Sequence, residues 1–146
     1  MVEEQREIAG VVCSGLGEGA MFTQLPWVQA EFRAKLGFVP SPGTLNLQMT
    51  DRRWRELYVV LAREAGIPIV PAEGFCAARC FRVTLGDTVE GAIVIPEVEG
   101  YPDDKVEIIA PVSIRERLGL QDGDRVWIRI AVPQRETITP DGASGS

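Results

Sequence analysis

The stretch EGAIVIPEVEGYPDDKVEIIAP, Glu90 to Pro111, decides the fold. It holds two short apolar runs, rich in β-branched residues, on either side of a polar loop. Runs of this length and composition read as strands, and Pro96 ends the ladder pairing of the first. Working outward, GFCAARCFRVTL (Gly74 to Leu85) precedes it as one strand or a bent pair, with Gly86-Asp87 as the turn between. Downstream, Ser113 and Glu116 have capping-box spacing and open a short helix, SIRERLGL. Asp122-Gly123 then turns the chain into DRVWIRIAV, where Val126, Ile128 and Ile130 alternate with Trp127 and Arg129. Near the N-terminus REIAGVVCS reads as a first strand, and Leu45 and Leu47 alternate with polar neighbours as a strand would.

Two helices fit between these strands. PWVQAEFRAKL has Pro26 at its first position and Gly37 at its stop, with Trp27, Ala30 and Leu36 expected on its inner face. DRRWRELYVVLAREAG carries Trp54, Leu57, Tyr58 and Leu61 at helical spacing, which marks these aromatics as core. Strand and helix do not alternate regularly, which argues against a doubly wound sheet. At least five short strands with few helices point to a small mainly β barrel with Greek-key features. A length of 146 residues suits one domain, taken as 1–134, followed by a polar tail, 135–146, with no apolar period and expected to be disordered.

Composition narrows the function classes. The formal charge of −6 and the absence of a clear basic patch argue against a nucleic-acid partner. The densest basic cluster, the arginines at 52, 53 and 55, has Asp51 and Glu56 beside it. No apolar run is long enough for a membrane span, and the charged N-terminus has no signal-peptide core. There is no histidine, which removes Ser-His and Cys-His catalytic units and most zinc sites. Three cysteines without a paired framework read as reduced thiols, so a cytoplasmic protein is expected.

Three segments could carry chemistry. The first is the glycine-rich turn Gly15-Leu16-Gly17-Glu18-Gly19, whose backbone N–H groups are able to approach a phosphate; it is neither a P-loop nor a dinucleotide fingerprint, and a ligand-free tight turn is the ordinary alternative. The second is PGTLNL. Thr44 and Asn46, two apart on a strand, face one side and offer hard neutral oxygens of the kind magnesium accepts alongside phosphate oxygens and water; local backbone bonding is the alternative. The third is Glu107 in the run Val106-Glu107-Ile108-Ile109. Alternation sets it on the face opposite Val106 and Ile108, where a carboxylate is either solvated or placed to accept a proton from a hydroxyl.

Each signal is weak alone, but their order is specific. GLGEG, then LP, then KLGF-x-P-x-PGTLNL, then GAIV-x-P, EIIAP, a two-residue gap and IR, and finally DGD-x-V-x-I together resemble the archaeal CTP-dependent riboflavin kinases. The resemblance runs from about Gly10 to Val132 and is thin between Thr50 and Cys80. It implies a six-stranded cradle-loop barrel, here with two or three short helices, moving a phosphoryl group from CTP to riboflavin to give FMN and CDP; a monomer is expected, although no residue pattern fixes the oligomeric state. It further implies that Gly15, Leu16, Gly17, Glu18, Gly19 and Ala20 hold the donor pyrophosphate and that Thr44 and Asn46 bind Mg2+. Val112, Ser113, Ile114 and Arg115 line the cytidine nucleotide, and Glu99 and Glu107 meet the flavin, Glu107 as the candidate catalytic residue. The chain departs from the family pattern at Glu99, where relatives usually have threonine, and at Tyr101, where they often have histidine. Some relatives also carry an N-terminal DNA-binding winged helix, which is not expected here because the barrel begins almost at Met1. Two other functions fit the same residues: a module that binds flavin or cytidine nucleotide without catalysis, and a CTP-dependent kinase of another small alcohol.

Overall fold

The computed structural model describes residues 3–15 and 22–133. Seven strands form one antiparallel sheet: β1 (Glu3–Cys13), β2 (Leu45–Gln48), β3 (Ile67–Ile69), β4 (Ala78–Leu85), β5 (Val89–Pro96), β6 (Lys105–Ile109) and β7 (Arg125–Pro133). The order is β3-β4-β5-β6-β2-β1-β7, and a further pairing of β4 with β7, Val83↔Ile130 to Leu85↔Ile128, closes six of the strands into a barrel. β3 remains outside it, paired among the described residues with the first residues of β4 through Ile67↔Cys80 and Ile69↔Ala78. Three helices are described: α1 (Pro26–Leu36), α2 (Arg53–Arg63) and α3 (Ile114–Leu118).

The strand sequences follow from what each face meets. Inside the barrel lie Ile8, Val12, Leu47, Val83, Ile93, Val106, Ile108 and Ile128, and Trp54, Leu57 and Leu61 of α2 join the same core. On the outer face α1 places Val28, Phe32 and Leu36 over Ala92, Val94 and Ile109. β5 is therefore covered on both sides, which is why GAIVIP runs apolar without alternation, whereas a strand with one wet face alternates. Phe32 is fully buried and alone contributes on the order of 2–3 kcal/mol.

The inner face of α1 differs from the sequence expectation of Trp27, Ala30 and Leu36. The buried stripe is Val28, Phe32 and Leu36, spaced by four, and Ala30 is exposed. Trp27 sits beside the stripe, its ring against Phe22 and Phe75 at 6.0 and 5.1 Å between centroids. α1 ends as expected at Gly37, whose φ of 87° is the left-handed conformation that favours glycine. α2 is shorter than its sequence limits: Asp51 stays outside and accepts from the Arg53 N–H at 3.0 Å. The Ser113 cap of α3 forms, its hydroxyl oxygen accepting from Glu116 N–H at 3.4 Å. Cys80 lies in the outer core, where burial pushes its thiol up to about 12, so it packs as a small apolar group.

Close packing between β5 and β6 depends on Gly91. A methyl group there would lie 2.3 Å from the Ile109 carbonyl oxygen, a backbone atom with no room to retreat. Gly91→Ala is expected to lose about 2–3 kcal/mol in a urea melt, the range of overpacking in a well-filled core. An unchanged midpoint would mean that the two strands yield there.

Candidate functional site

The barrel's outer face becomes polar where α1 no longer covers it. On β2, Leu45 and Leu47 point inward and are buried, so Asn46 faces out. Thr44, immediately before the strand, is half-buried. The register places Asn46 opposite Glu107 of β6 on one side and Cys13 of β1 on the other. Glu107 is half-buried between Val106 and Ile108, both of which face the core. The two sequence candidates, 61 residues apart in the chain (107 less 46), are thus direct cross-strand neighbours.

The chain entering β2 is held in place from both sides. Gly43 N–H donates to the buried Thr23 hydroxyl oxygen at 3.1 Å, and Ser41 N–H donates to the Ala110 carbonyl at 2.8 Å. Thr44 Oγ1 lies 3.5 Å from Glu107 Oε2, and Asn46 Nδ2 lies 3.4 Å from Thr44 Oγ1. Separations this long hold little hydrogen-bond energy. The Thr44 hydroxyl, the Asn46 amide and the Glu107 carboxylate therefore lie together, joined to one another only by these long contacts.

One contact in the cluster is tight. Tyr101, on the loop between β5 and β6, donates its hydroxyl to Glu107 Oε1 at 2.8 Å. Burial, with the Glu107 hydrogen bond adding to it, pushes the Tyr101 phenol well above its ordinary range. Sequence reasoning noted Tyr101 only as a departure from the family pattern, and no spacing rule connects it to Glu107. Glu99, on the same loop, is exposed and is not among the residues lining the neighbouring cleft.

That cleft has a volume of about 220 Å3 and is lined by Ser41 to Leu45, Ile108, Ala110 and Val112 to Arg115. The structure thus brings Val112, Ser113, Ile114 and Arg115 against Thr44. Ile114 is buried in the core. Arg115 donates to Asp122 Oδ1 at 2.6 Å and to the Cys13 carbonyl at 3.3 Å, and Ser14 donates its hydroxyl to Asp122 Oδ2. The Ser14 hydroxyl and the Arg115 guanidinium hold the Asp122 carboxyl below the usual carboxylate range. α3 is tied in this way to the end of β1, where the glycine-rich turn begins.

Of that turn, Gly15 is described, and Leu16, Gly17, Glu18, Gly19 and Ala20 lie outside the described residues, as does the tail from 135 onward. A methyl group on Gly15 would lie 2.6 Å from Asn46 Nδ2, so a side chain there would displace the Asn46 amide. Among the described residues no three His, Cys, Asp or Glu side chains converge as a metal cage. The donor set at Thr44 and Asn46, a hydroxyl and an amide beside one carboxylate, suits a hard cation that takes its remaining ligands from phosphate and water. No described helix is long and apolar enough to cross a membrane.

A family model described as CTP-dependent riboflavin kinase, domain of unknown function DUF120, matches residues 12–130. A riboflavin kinase of Pyrobaculum islandicum is 43% identical over 131 residues, a match covering 84% of this chain and 59% of that protein. A riboflavin kinase of Methanosarcina barkeri is 38% identical over 131 residues, covering 85% and 56%. One from Archaeoglobus fulgidus is 41% identical over 133 residues, covering 85% and 54%. The chain therefore spans somewhat more than half the length of these relatives.

Proposed function

The chain belongs to the CTP-dependent riboflavin kinase family, and on that premise we propose that it transfers the terminal phosphoryl group of CTP to the 5′-hydroxyl of riboflavin, giving FMN and CDP. The observation that carries the reading is the convergence of Thr44, Asn46 and Glu107 beside the cleft formed with Val112 to Arg115. Phosphoryl transfer asks for an in-line hydroxyl, charge neutralisation on the phosphates and exclusion of bulk water, with little covalent chemistry from the protein.

The residues divide these tasks. Val112 to Arg115 line the cleft that receives the cytidine end of the donor. Gly15 opens the turn that would cradle the pyrophosphate, a role that rests on the resemblance for the residues beyond it. Thr44 and Asn46 would hold magnesium through their side-chain oxygens, and the ion when bound supplies charge neutralisation on the donor phosphates. Glu107 takes the riboflavin hydroxyl proton as that oxygen bonds to the γ-phosphorus, and the bond to the bridging oxygen breaks with CDP as the leaving group. The turn's sequence contains no lysine, so backbone and metal carry charge that a P-loop lysine would otherwise share.

Incubating the protein with CTP, magnesium and riboflavin tests the reading: FMN and CDP should form in equal amounts, whereas a binding module would yield neither. A kinase of another alcohol would turn over CTP only with a different acceptor. Donor preference is a separate prediction. The resemblance sets the base of the donor against Val112 to Arg115, and the matching family model is described as CTP-dependent. CTP is expected to support FMN formation at least about tenfold better than ATP in kcat/KM, a difference of the size that one pocket contact provides. Equal use of the two would count against the assignment of Val112 to Arg115.

A further inference from the structure

The loop that carries Tyr101 is tied down at several points. Tyr101 N–H closes a turn onto the Val98 carbonyl at 3.2 Å. Trp54 Nε1 of α2 donates to the Asp103 carbonyl at 2.7 Å, and Met49 N–H donates to the Asp104 carbonyl at 2.8 Å. Gln48 Nε2 reaches the Asp104 carboxylate at 2.8 Å. Trp54 is itself buried in the barrel core, so the loop is anchored on the core. The Tyr101 ring is half-buried and its hydroxyl meets Glu107 Oε1 at 2.8 Å.

The two oxygens of Glu107 consequently differ. Oε1 is engaged at an ordinary O–H···O hydrogen-bond length, while Oε2 faces Thr44 Oγ1 at 3.5 Å, too long to occupy it. A free glutamate carboxylate turns in a broad, roughly two-fold well about its last torsion. A fixed partner on one oxygen removes that freedom.

From this geometry we propose that Tyr101 is a positioning residue for the reaction: it holds Glu107 Oε1 so that Oε2, on the Thr44 and Asn46 side, receives the substrate hydroxyl. The inference rests on the reading of Glu107 as the proton acceptor. In the step itself the hydroxyl proton passes to Oε2 as the new oxygen–phosphorus bond forms and the old one breaks. Tyr101 keeps its own proton throughout, in keeping with the upward displacement of its phenol, and acts only as a donor.

The test uses the full chain with CTP, magnesium and riboflavin. Tyr101→Phe removes one oxygen and leaves the ring. It is expected to lower kcat about tenfold, the low end of what a hydrogen bond to a charged group is worth, with both KM values and the thermal midpoint nearly unchanged. Introducing 4-aminophenylalanine at position 101 restores a neutral donor at the same ring position and should recover most of the loss. In a Glu107→Gln background the same Tyr101→Phe change should cost nothing further, because the group it positions is gone. A parental kcat for Tyr101→Phe, or a loss that recurs in full in the Gln background, would overturn the proposal. If Glu107→Gln alone leaves kcat intact, the acceptor reading fails and this inference falls with it. If Glu107→Gln is damaging and Tyr101→Phe is silent, this inference alone falls.

Discussion

Replacing Thr44 and Asn46 together by alanine is expected to abolish FMN formation, a loss of at least about 10³-fold, while the barrel still folds. The fold should survive because neither side chain supports it. Both are half-buried on the outer face, the neighbouring Leu45 and Leu47 supply the core contacts, and the polar contacts they make lie at 3.4–3.5 Å. Such long contacts contribute little to stability. Function should fail because removing a single preorganised electrostatic group from a reaction centre costs about 10²–10³-fold, and here two would go. Each single variant should retain activity that rises with added magnesium, which separates loss of the ion from loss of substrate positioning. Neutral ligands hold magnesium chiefly with help from phosphates, so calorimetry of the nucleotide-free protein should show at most weak binding. A double variant with the parental rate, or tight magnesium binding without nucleotide, would remove these residues from the reaction.

The sequence was most informative where one strand decides its own environment. The GAIVIP run reads as a strand from its β-branched composition, and alternation alone sets Asn46 and Glu107 on the faces opposite Leu47 and Ile108. It was least informative where two distant segments must agree. That Asn46 pairs with Glu107 depends on the register of β2 against β6, strands that are not consecutive, and a slip of one residue would send either side chain into the core. Residue patterns alone showed at least five strands; the six that close the barrel were implied only by the resemblance. β3 went unread because it has three residues with Pro68 at its centre, and a proline without an N–H is not a strand signal. The face of α1 was misassigned because Trp27 drew the stripe one position early, toward the aromatic contacts with Phe22 and Phe75. The Tyr101–Glu107 hydrogen bond spans a loop whose path is set by Trp54, 49 residues from its partner Asp103, and nothing local encodes it.

Glu107→Gln is expected to lower kcat by roughly 10²-fold while leaving the fold and CDP binding in place. The substitution is nearly isosteric, and the amide oxygen can still accept from Tyr101, so the loop has no reason to move. CDP should bind normally because the cleft's lining comes from Ser41 to Leu45, Ile108, Ala110 and Val112 to Arg115, and Glu107 is not part of it. What the variant loses is a carboxylate able to take the hydroxyl proton. A positioned acid–base group contributes about 10²–10⁴-fold, and a loose phosphoryl-transfer transition state, in which the hydroxyl loses its proton late, favours the lower end of that range. Kinetics separate the roles Glu107 can play. If it serves only to seat riboflavin, KM for riboflavin rises while kcat holds; if it accepts the proton, kcat falls and the CDP affinity stays. If it is an ordinary solvated strand residue, neither parameter moves, and the convergence of Thr44, Asn46 and Glu107 on one face of the barrel would have no part in the chemistry.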